Sequence, residues 1–446
     1  MASDGSRTAP GISRRRALTV GGAALAAVGV TLPVPDLGGR PSGPSESGPP
    51  GGRVEGAENG LFDRLHAAGI TGEGVRVGIV DPTGFDPGRE AIRNRVAALE
   101  WFGSDPPVVD VSHGTAAATT VSTAAPDADL YLAGFEDDEG FERAVAWTRD
   151  EELDVLLTPF AAHGVAAGNS RVSRAAGDAV DAGLVVVAPT GNAARGHWSR
   201  PISPAELTTA FQSLRIGVRS LADGSPEGRL VAWVTDDGPT ALELGLALVE
   251  RTDQGDGRNL IALSRSVGDD RGHRLTATLD GGDYWLELQH RSGEVTGIDP
   301  DGFRVEVTTP THRLVPAQPA GSIAAPATAP DVLAVGATTD TGTSAAPYSG
   351  RGPTADGRAG VDLVAPPRPW TGAGPSGTSA AAARAAGIAA LVRGRYSAPP
   401  RRVVELLRAT ATDVGGNGVG LATGAGRLDA ELAIQRARAR ARAAES

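Results

Sequence analysis

The sequence contains no cysteine and no lysine, and aromatic residues make up only 4% of its 446 residues. The lack of cysteine excludes disulfides and thiolate metal sites. With so few aromatic rings, the core has to be built from aliphatic side chains packed closely around alanine and glycine. The fold must therefore be held by packing, by bound ions or by both.

The net charge is −11, and every basic side chain other than histidine is an arginine. Binding to nucleic acid requires basic patches, so we expect no nucleic-acid partner. An acidic composition without lysine fits adaptation to high salt, and it fits equally well a codon bias of GC-rich DNA. The sequence leaves both explanations open.

Residues 1–32 have the pattern of an export signal. Arg14, Arg15 and Arg16 precede an apolar stretch rich in Gly and Ala that begins at Ala17. Paired arginines before a weakly hydrophobic segment resemble a twin-arginine signal. A membrane anchor is the alternative, although the stretch is short and only weakly hydrophobic for a span. We therefore expect the twin-arginine export machinery as a partner and a secreted or extracytoplasmic location.

The next segment, residues 33–58, is rich in Pro, Gly and Ser and predicts a flexible linker. From residue 59, short apolar runs at 75–80, 155–157 and 184–188 alternate with helical patterns such as 171–182. This order predicts an α/β fold with a parallel sheet covered by helices on both faces. Such sheets bind ligands at the carboxyl ends of their strands.

The alternation breaks between about residues 201 and 314. Strand-like runs follow one another there, separated by turns rich in Asp and Gly. This pattern predicts an inserted β-sandwich-like domain that divides one α/β domain into residues 59–200 and 315–432. Residues 433–446 are predicted to form an Arg/Ala-rich C-terminal tail.

Three motifs carry the residue types of nucleophilic catalysis. Asp81 ends an apolar strand, His113 opens an Ala-rich helix within Ser-His-Gly-Thr, and Ser379 follows Gly377-Thr378 at the start of another such helix. Taken singly, they fit a turn carboxylate, a structural histidine and an N-cap serine. A serine at a helix N-terminus also lies where backbone N–H groups favour negative charge.

In the order Asp, His, Ser, the three motifs resemble the subtilase family of serine peptidases. Further matching segments are Thr190-Gly191-Asn192 and the stretches 125–130, 349–353, 362–366 and 423–428. The resemblance implies a subtilisin-like fold and a triad of Asp81, His113 and Ser379. It further implies an oxyanion-hole amide at Asn192, a polypeptide substrate and no required cofactor.

The chain departs from the family pattern at several positions. Pro82 separates Asp81 from Thr83, and the family's substrate-binding strand corresponds to Thr158-Pro159-Phe160, where proline removes an N–H donor. The chain has Ala116 where the family often has His, Ala380 where it often has Met, and Ala382-Ala383-Arg384 where it often has Thr-Pro-His.

Two features of the insert have more than one interpretation. Its acidic turns are candidates for structural calcium or are simply solvated: Asp236, Asp237, Asp269, Asp270, Asp280 and Asp283. Its aromatic residues Trp233, Tyr284 and Trp285 fit a sandwich core or a stacking surface for carbohydrate.

The motifs together predict a secreted serine endopeptidase that acts through an acyl-enzyme. A processing peptidase with one narrow substrate is the first alternative. A catalytically impaired subtilase-like binding module, which makes its contacts through the insert, is the second.

Overall fold

The computed structural model describes residues 52–104, 113–164, 170–203, 205–206, 214–222, 224–239, 242–252, 257–267, 272–293, 302–370, 376–396, 398–415 and 420–445. The predicted signal segment 1–32 lies outside the described residues, as does most of the predicted linker. None of the helices in the described ranges is both long enough and apolar enough to cross a membrane.

The helices and strands are numbered in chain order. The helices are α1 Gly52–Ala67, α2 His113–Ala124, α3 Asp138–Asp150, α4 Arg171–Asp181, α5 Thr378–Tyr396, α6 Pro400–Ala409 and α7 Ala430–Glu445. The strands are β1 Arg76–Asp81, β2 Val96–Phe102, β3 Asp129–Phe135, β4 Val155–Leu157, β5 Val185–Pro189, β6 His197–Ile202, β7 Arg215–Arg219, β8 Glu227–Asp236, β9 Glu243–Arg251, β10 Arg258–Leu263, β11 Arg265–Ser266, β12 His273–Asp280, β13 Tyr284–Ser292, β14 Phe303–Thr308, β15 Arg313–Val315, β16 Leu333–Ala337 and β17 Leu363–Ala365.

A seven-stranded parallel sheet runs in the order β17-β16-β5-β4-β1-β3-β2. Its strands are apolar on both faces because each face is covered by helices. In β4, Val155 and Leu157 join the core beneath α2 and α5, whereas Leu156 joins the core on the opposite face, beneath α3 and α4. The predicted parallel sheet with helices on both faces is confirmed.

The insert consists of two five-stranded sheets in the orders β10-β9-β13-β7-β15 and β11-β12-β8-β14-β6. Their strands pair antiparallel and enclose a separate hydrophobic core. Leu230, Ala232 and Val234 of β8 point into that core, as the period of two in a strand requires. The predicted β-sandwich-like insertion in an α/β domain is confirmed, and its first strand begins at His197.

Two segments differ from the prediction. Helix α1 begins at Gly52, so the last residues of the predicted linker 33–58 are helical. This helix is anchored because Leu61, Phe62 and Leu65 are buried in the α/β core. The predicted tail 433–446 lies largely in α7, whose Ala433 and Ile434 are buried in the same core. Both segments are helical because apolar residues on one face of each helix are buried in the core. This burial outweighs the neighbouring residues, which are rich in Gly, Pro or Arg.

The three aromatic residues of the insert have separate positions. Tyr284 lies in the sandwich core, and Trp285 packs on Ala247 and Val249 outside it. Trp233 points away from the sandwich core and is only 2% exposed, because it packs against Gly164 of the α/β domain. The interpretation as core residues therefore holds for Tyr284. It is wrong for Trp285 and for Trp233, which lies at the junction of the two domains.

Candidate active site

Asp81 and His113 are joined directly. The Nδ1 atom of His113 lies 2.7 Å from Oδ2 of Asp81. Asp81 is fully buried at the end of β1, and the side chain of His113, the first residue of α2, is 11% exposed. The carboxylate therefore fixes one ring nitrogen inside the fold, and the ring is oriented from a rigid strand end.

The extra residue Pro82 does not displace Asp81. The turn after it brings Thr83 back to the carboxylate, where the Thr83 backbone N–H donates at 2.9 Å and its hydroxyl at 2.6 Å to Asp81 Oδ1. The Thr83 hydroxyl in turn accepts a hydrogen bond from the backbone N–H of Gly114, at 3.0 Å. Thr83 thus connects the aspartate to the first turn of α2, a contact that the sequence analysis missed although Thr83 lies only two residues from Asp81.

Gly114 permits this close approach. A Cβ atom at this position would lie 2.5 Å from the carbonyl oxygen of Gly84 and 3.1 Å from Cβ of Asp81. Any larger residue would push α2 away from the end of β1. The glycine after His113 is therefore required by the distance between the helix and the strand.

Two opposing effects act on the pKa of His113. Burial lowers it, but the charge of Asp81 and its hydrogen bond outweigh burial, so the pKa is raised above 6.5. The Asp81 carboxylate favours the imidazolium form over the neutral ring. An imidazole with this partner is suited to accept a proton and to carry the resulting charge.

Ser379 is the second residue of α5 and is partly exposed. It shares a small cleft with the histidine. The lining residues are His113, Ala116, Ala117, Thr120, Pro369, Ser379 and Ala380. Among the described residues no hydrogen bond joins the Ser379 hydroxyl to the His113 ring, which is common in serine enzymes without a bound substrate. The structure thus brings all three predicted triad residues to one end of the sheet.

Asn192 lies beside the serine motif. Its side-chain oxygen accepts hydrogen bonds from the backbone N–H of Thr378 at 3.1 Å and from the Thr378 hydroxyl at 3.0 Å. Its amide nitrogen lies against Gly377, where a Cβ atom would be only 2.9 Å away. Gly377 also has φ +140°, a conformation that glycine adopts most readily. The amide is thus held next to the N-terminus of α5.

The turn that carries Asn192 is fixed by Gly350, in a stretch that resembles the family, and by Ala324. The Gly350 N–H donates to the Gly191 carbonyl at 2.8 Å, and the Ala324 N–H donates to the Thr190 carbonyl at 3.0 Å. A Cβ atom at Gly350 would lie 2.1 Å from the Thr190 carbonyl oxygen. The 349–353 stretch therefore packs against the Asn192 turn and holds it by a backbone hydrogen bond.

Thr158, Pro159 and Phe160, the expected substrate-binding residues, directly follow β4. Their side chains are buried, and Phe160 packs on Phe135 and Phe141 within the core. The Thr158 N–H donates to Val187, the Phe160 N–H donates to Thr158, and Pro159 has no N–H. These three residues therefore offer no backbone donor to a peptide, because strand pairing and the local turn use the available N–H groups.

Three of the acidic turn residues, Asp236, Asp237 and Asp283, are engaged in contacts within the protein. Asp283 pairs with Arg219 at 3.1 Å and with Arg251 at 3.8 Å, and Asp237 accepts from the Arg304 N–H at 2.7 Å. Asp269 and Asp270 lie outside the described residues. In the part of the chain that the structure describes, no group of three or more His, Asp or Glu is arranged to hold a metal ion.

Comparisons with known proteins agree with the serine motif and with the fold. The Subtilase family model, Peptidase_S8, matches residues 251–426, a range that includes Ser379 but begins after Asp81 and His113. A probable subtilase-type serine protease from Deinococcus radiodurans is 27% identical over 212 residues. That match covers 38% of this chain and only 28% of the Deinococcus protein.

Among solved structures, the CspB protease of Clostridium perfringens is similar with a TM-score of 0.55 and 15% identity, over 84% of this chain and 97% of that one. Fervidolysin from Fervidobacterium pennivorans is similar with a TM-score of 0.45 and 17% identity, over 83% and 44%. The resemblance to the subtilase family is confirmed, and the α/β domain has the subtilisin-like fold.

Proposed function

We propose that this protein is a serine endopeptidase that hydrolyses peptide bonds through Asp81, His113 and Ser379. One observation carries the proposal. The buried Asp81 carboxylate lies 2.7 Å from one nitrogen of His113, and the ring lines the same cleft as the Ser379 side chain at a helix N-terminus. The match to the subtilase family supports the same reaction class.

In the proposed reaction, His113 removes the proton of the Ser379 hydroxyl as Oγ attacks the carbonyl carbon of the substrate. The carbonyl oxygen gains the electron pair of the C=O bond. As the intermediate collapses, the protonated His113 gives the proton to the leaving amine, and the acyl group remains on Ser379. A water molecule then gives a proton to His113 and attacks the acyl carbon. As the bond from that carbon to Ser379 Oγ breaks, the protonated His113 returns the proton to Oγ, which releases the acid and restores the serine.

Asp81 keeps the His113 ring in the tautomer that accepts at Nε2, and it stabilises the imidazolium. Asn192 is proposed to donate a hydrogen bond to the oxyanion through its amide nitrogen, since its oxygen is bound to Thr378. The backbone N–H of Ser379, in the first turn of α5, is the proposed second donor. No step requires a metal ion or an organic cofactor.

The substrate is proposed to be a polypeptide outside the cytoplasm. The twin-arginine pattern in residues 1–32 is the basis for proposing export by the twin-arginine machinery. The net charge of −11 argues against a nucleic-acid partner.

A fluorophosphonate probe tests the proposal, because it phosphonylates only a serine that a neighbouring base has activated. The purified protein should take up one equivalent of probe, in buffers of low and of high salt. Ser379→Ala should take up none, while the exposed Ser376, which lies in the same segment, provides the matched control Ser376→Ala with unchanged labelling.

The same experiment separates the alternatives. A folded parent protein that takes up no probe would exclude the peptidase and favour the impaired binding module. A parent that is labelled but leaves unfolded casein intact would favour the narrow-specificity processing peptidase. Labelling together with cleavage of casein supports the endopeptidase.

A further inference from the structure

Residues 367–370 carry Pro369 to the side of the cleft that contains Ser379, and we name this segment the cleft wall. Pro369 is the residue of the cleft wall that lines the cleft together with His113 and Ser379. The shape of the cleft on this side therefore depends on how the cleft wall is held.

Two hydrogen bonds tie the cleft wall to the residues around the serine. The backbone N–H of Gly377, two residues before Ser379, donates to the Pro367 carbonyl at 2.7 Å. The Nε–H of Arg384, five residues after Ser379, donates to the Arg368 carbonyl at 2.6 Å. The cleft wall is thus hydrogen-bonded to one residue before Ser379 in the sequence and to one residue after it.

Arg384 also contacts the residue on the other side of Pro369. The guanidinium carbon of Arg384 lies 4.8 Å from the centre of the Trp370 ring. The ring is itself held from α1, because Phe62 meets it edge-on at 4.6 Å. One side chain therefore contacts both neighbours of Pro369, the Arg368 carbonyl by a hydrogen bond and the Trp370 ring by a cation–π contact.

The position of Arg384 is costly for a charged residue. Its side chain is 1% exposed within a helix whose neighbouring residues, Ala380 to Ala383 and Ala385, are buried alanines. Removing a guanidinium from water is unfavourable, and an apolar residue of similar length would fill the same space without this penalty. The hydrogen bond to the Arg368 carbonyl uses the length of this side chain and its N–H donor, which an apolar residue lacks.

We infer that Arg384 is a positioning residue that holds Pro369 beside Ser379 and His113, and so shapes the subsite for a substrate residue. This role rests on the proposed peptidase function. Arg384 itself does not line the cleft, so it acts through the cleft wall. Loss of Arg384 should move the cleft wall while the Asp81–His113 pair and Ser379 stay in place.

The test compares Arg384→Met and Arg384→Lys with Arg393→Met. Arg393 is a matched control in the same helix, since it too bonds a carbonyl, that of Ala398 at 3.2 Å, and pairs with Asp154 at 3.1 Å. Each variant is titrated with the fluorophosphonate probe to count active sites. Then kcat and KM for a peptide substrate are measured per active site, together with the melting temperature.

Arg384→Met should lower kcat/KM for the peptide by about 10- to 100-fold, mainly through KM. The rate of labelling by the small probe, which does not need the cleft wall, should change by less than about threefold. The kcat/KM of Arg384→Lys should lie between the values of the parent and of Arg384→Met, because an ammonium group can still donate to the Arg368 carbonyl. Arg393→Met should lower the melting temperature with kcat/KM retained.

An Arg384→Met protein with parental kcat/KM per labelled site would overturn the role, as would an equal loss in Arg393→Met. If Arg384→Met does not fold, Arg384→Lys and Trp370→Leu are measured instead. A raised KM with an unchanged labelling rate supports the role, and a parental KM overturns it. A parent protein that takes up no probe overturns the proposed function itself, and this positioning role with it.

Discussion

The Asp81 carboxylate and the His113 ring are 2.7 Å apart, and the other carboxylate oxygen is bound twice by Thr83. The carboxylate is therefore fixed at both oxygens and presents one of them to the imidazole. This arrangement determines the direction in which the pKa of His113 moves, and the first two predictions depend on it.

Asp81→Asn should slow turnover by about 10⁴-fold, because the amide favours the wrong ring tautomer and leaves the imidazolium without its counter-charge. In the parent, activity should rise with pH through a pKa above 6.5, since only the neutral ring is a base and Asp81 raises this pKa. In Asp81→Asn the charge that raises the pKa of His113 is gone and burial still lowers it. The midpoint of the rate–pH profile should therefore shift to lower pH. A midpoint that does not move in rate–pH profiles would contradict the assigned pair.

Thr83→Val should reduce kcat by roughly tenfold, because it removes the hydroxyl that donates to Asp81 and accepts from Gly114. Thr83→Ser retains the hydroxyl and is the matched control, with activity expected near that of the parent. The two variants are compared by kcat per titrated active site. Equal kcat values for valine and serine would show that the hydroxyl has no positioning role.

Asn192→Ala should lower kcat by about 10²- to 10³-fold, as expected for loss of one oxyanion donor. Thr378→Val removes one of the two hydrogen bonds that orient the amide and should have a smaller effect in the same direction. Both variants are measured with the same peptide, and KM should change little. A large change in KM with kcat intact would instead place Asn192 in substrate binding.

His163 should make the fold sensitive to acid. It is 6% exposed, and burial, with a second contribution from nearby His197, lowers its pKa from 6.5 to about 4. The unfolded chain therefore binds the proton first, and stability should fall as the pH drops from about 6.5 to about 4, by roughly 3 kcal/mol. His163→Gln should flatten this dependence in urea titrations across that range, whereas His290→Gln, at an exposed histidine, should not.

Gly164→Ala should destabilise the junction between the insert and the α/β domain. Its Cβ atom would lie 2.1 Å from Cδ1 of Trp233, and the residue has φ +75°. We expect a loss on the order of 2–4 kcal/mol in the free energy of unfolding. Gly183→Ala is the matched control, because Gly183 also has positive φ, at +95°, but has nothing within 4 Å. Similar losses for the two variants would show that backbone strain alone, and no packing at Trp233, is responsible.

Much of the fold followed from local patterns. The apolar strands at 155–157 and 184–188 and the helix at 171–182 were predicted within about two residues of their observed bounds. Strands buried on both faces need continuous apolar runs, and such runs are visible without a structure. The boundaries at α1 and α7 were predicted wrongly because a few buried apolar residues outweighed the flexible composition around them.

The candidate site was predictable as far as its residues lie in compact motifs. Asp81 ends a strand, Asn192 follows one, and His113 and Ser379 lie at helix starts. The resemblance of these motifs to the subtilase family named the four residues and their order. Chain order also determined that an all-β module interrupts the α/β domain after the Asn192 turn.

Only the tertiary structure decided which side chains support those residues. The Thr83 hydroxyl accepts a hydrogen bond from the first turn of α2, and Arg384 donates one to the cleft wall. Trp233 points out of the sandwich core and packs on Gly164. These contacts join segments distant in sequence, and their partners are set by distances of a few ångströms that no local pattern encodes. The motifs thus named the groups proposed to react, and packing between distant segments determined their positions.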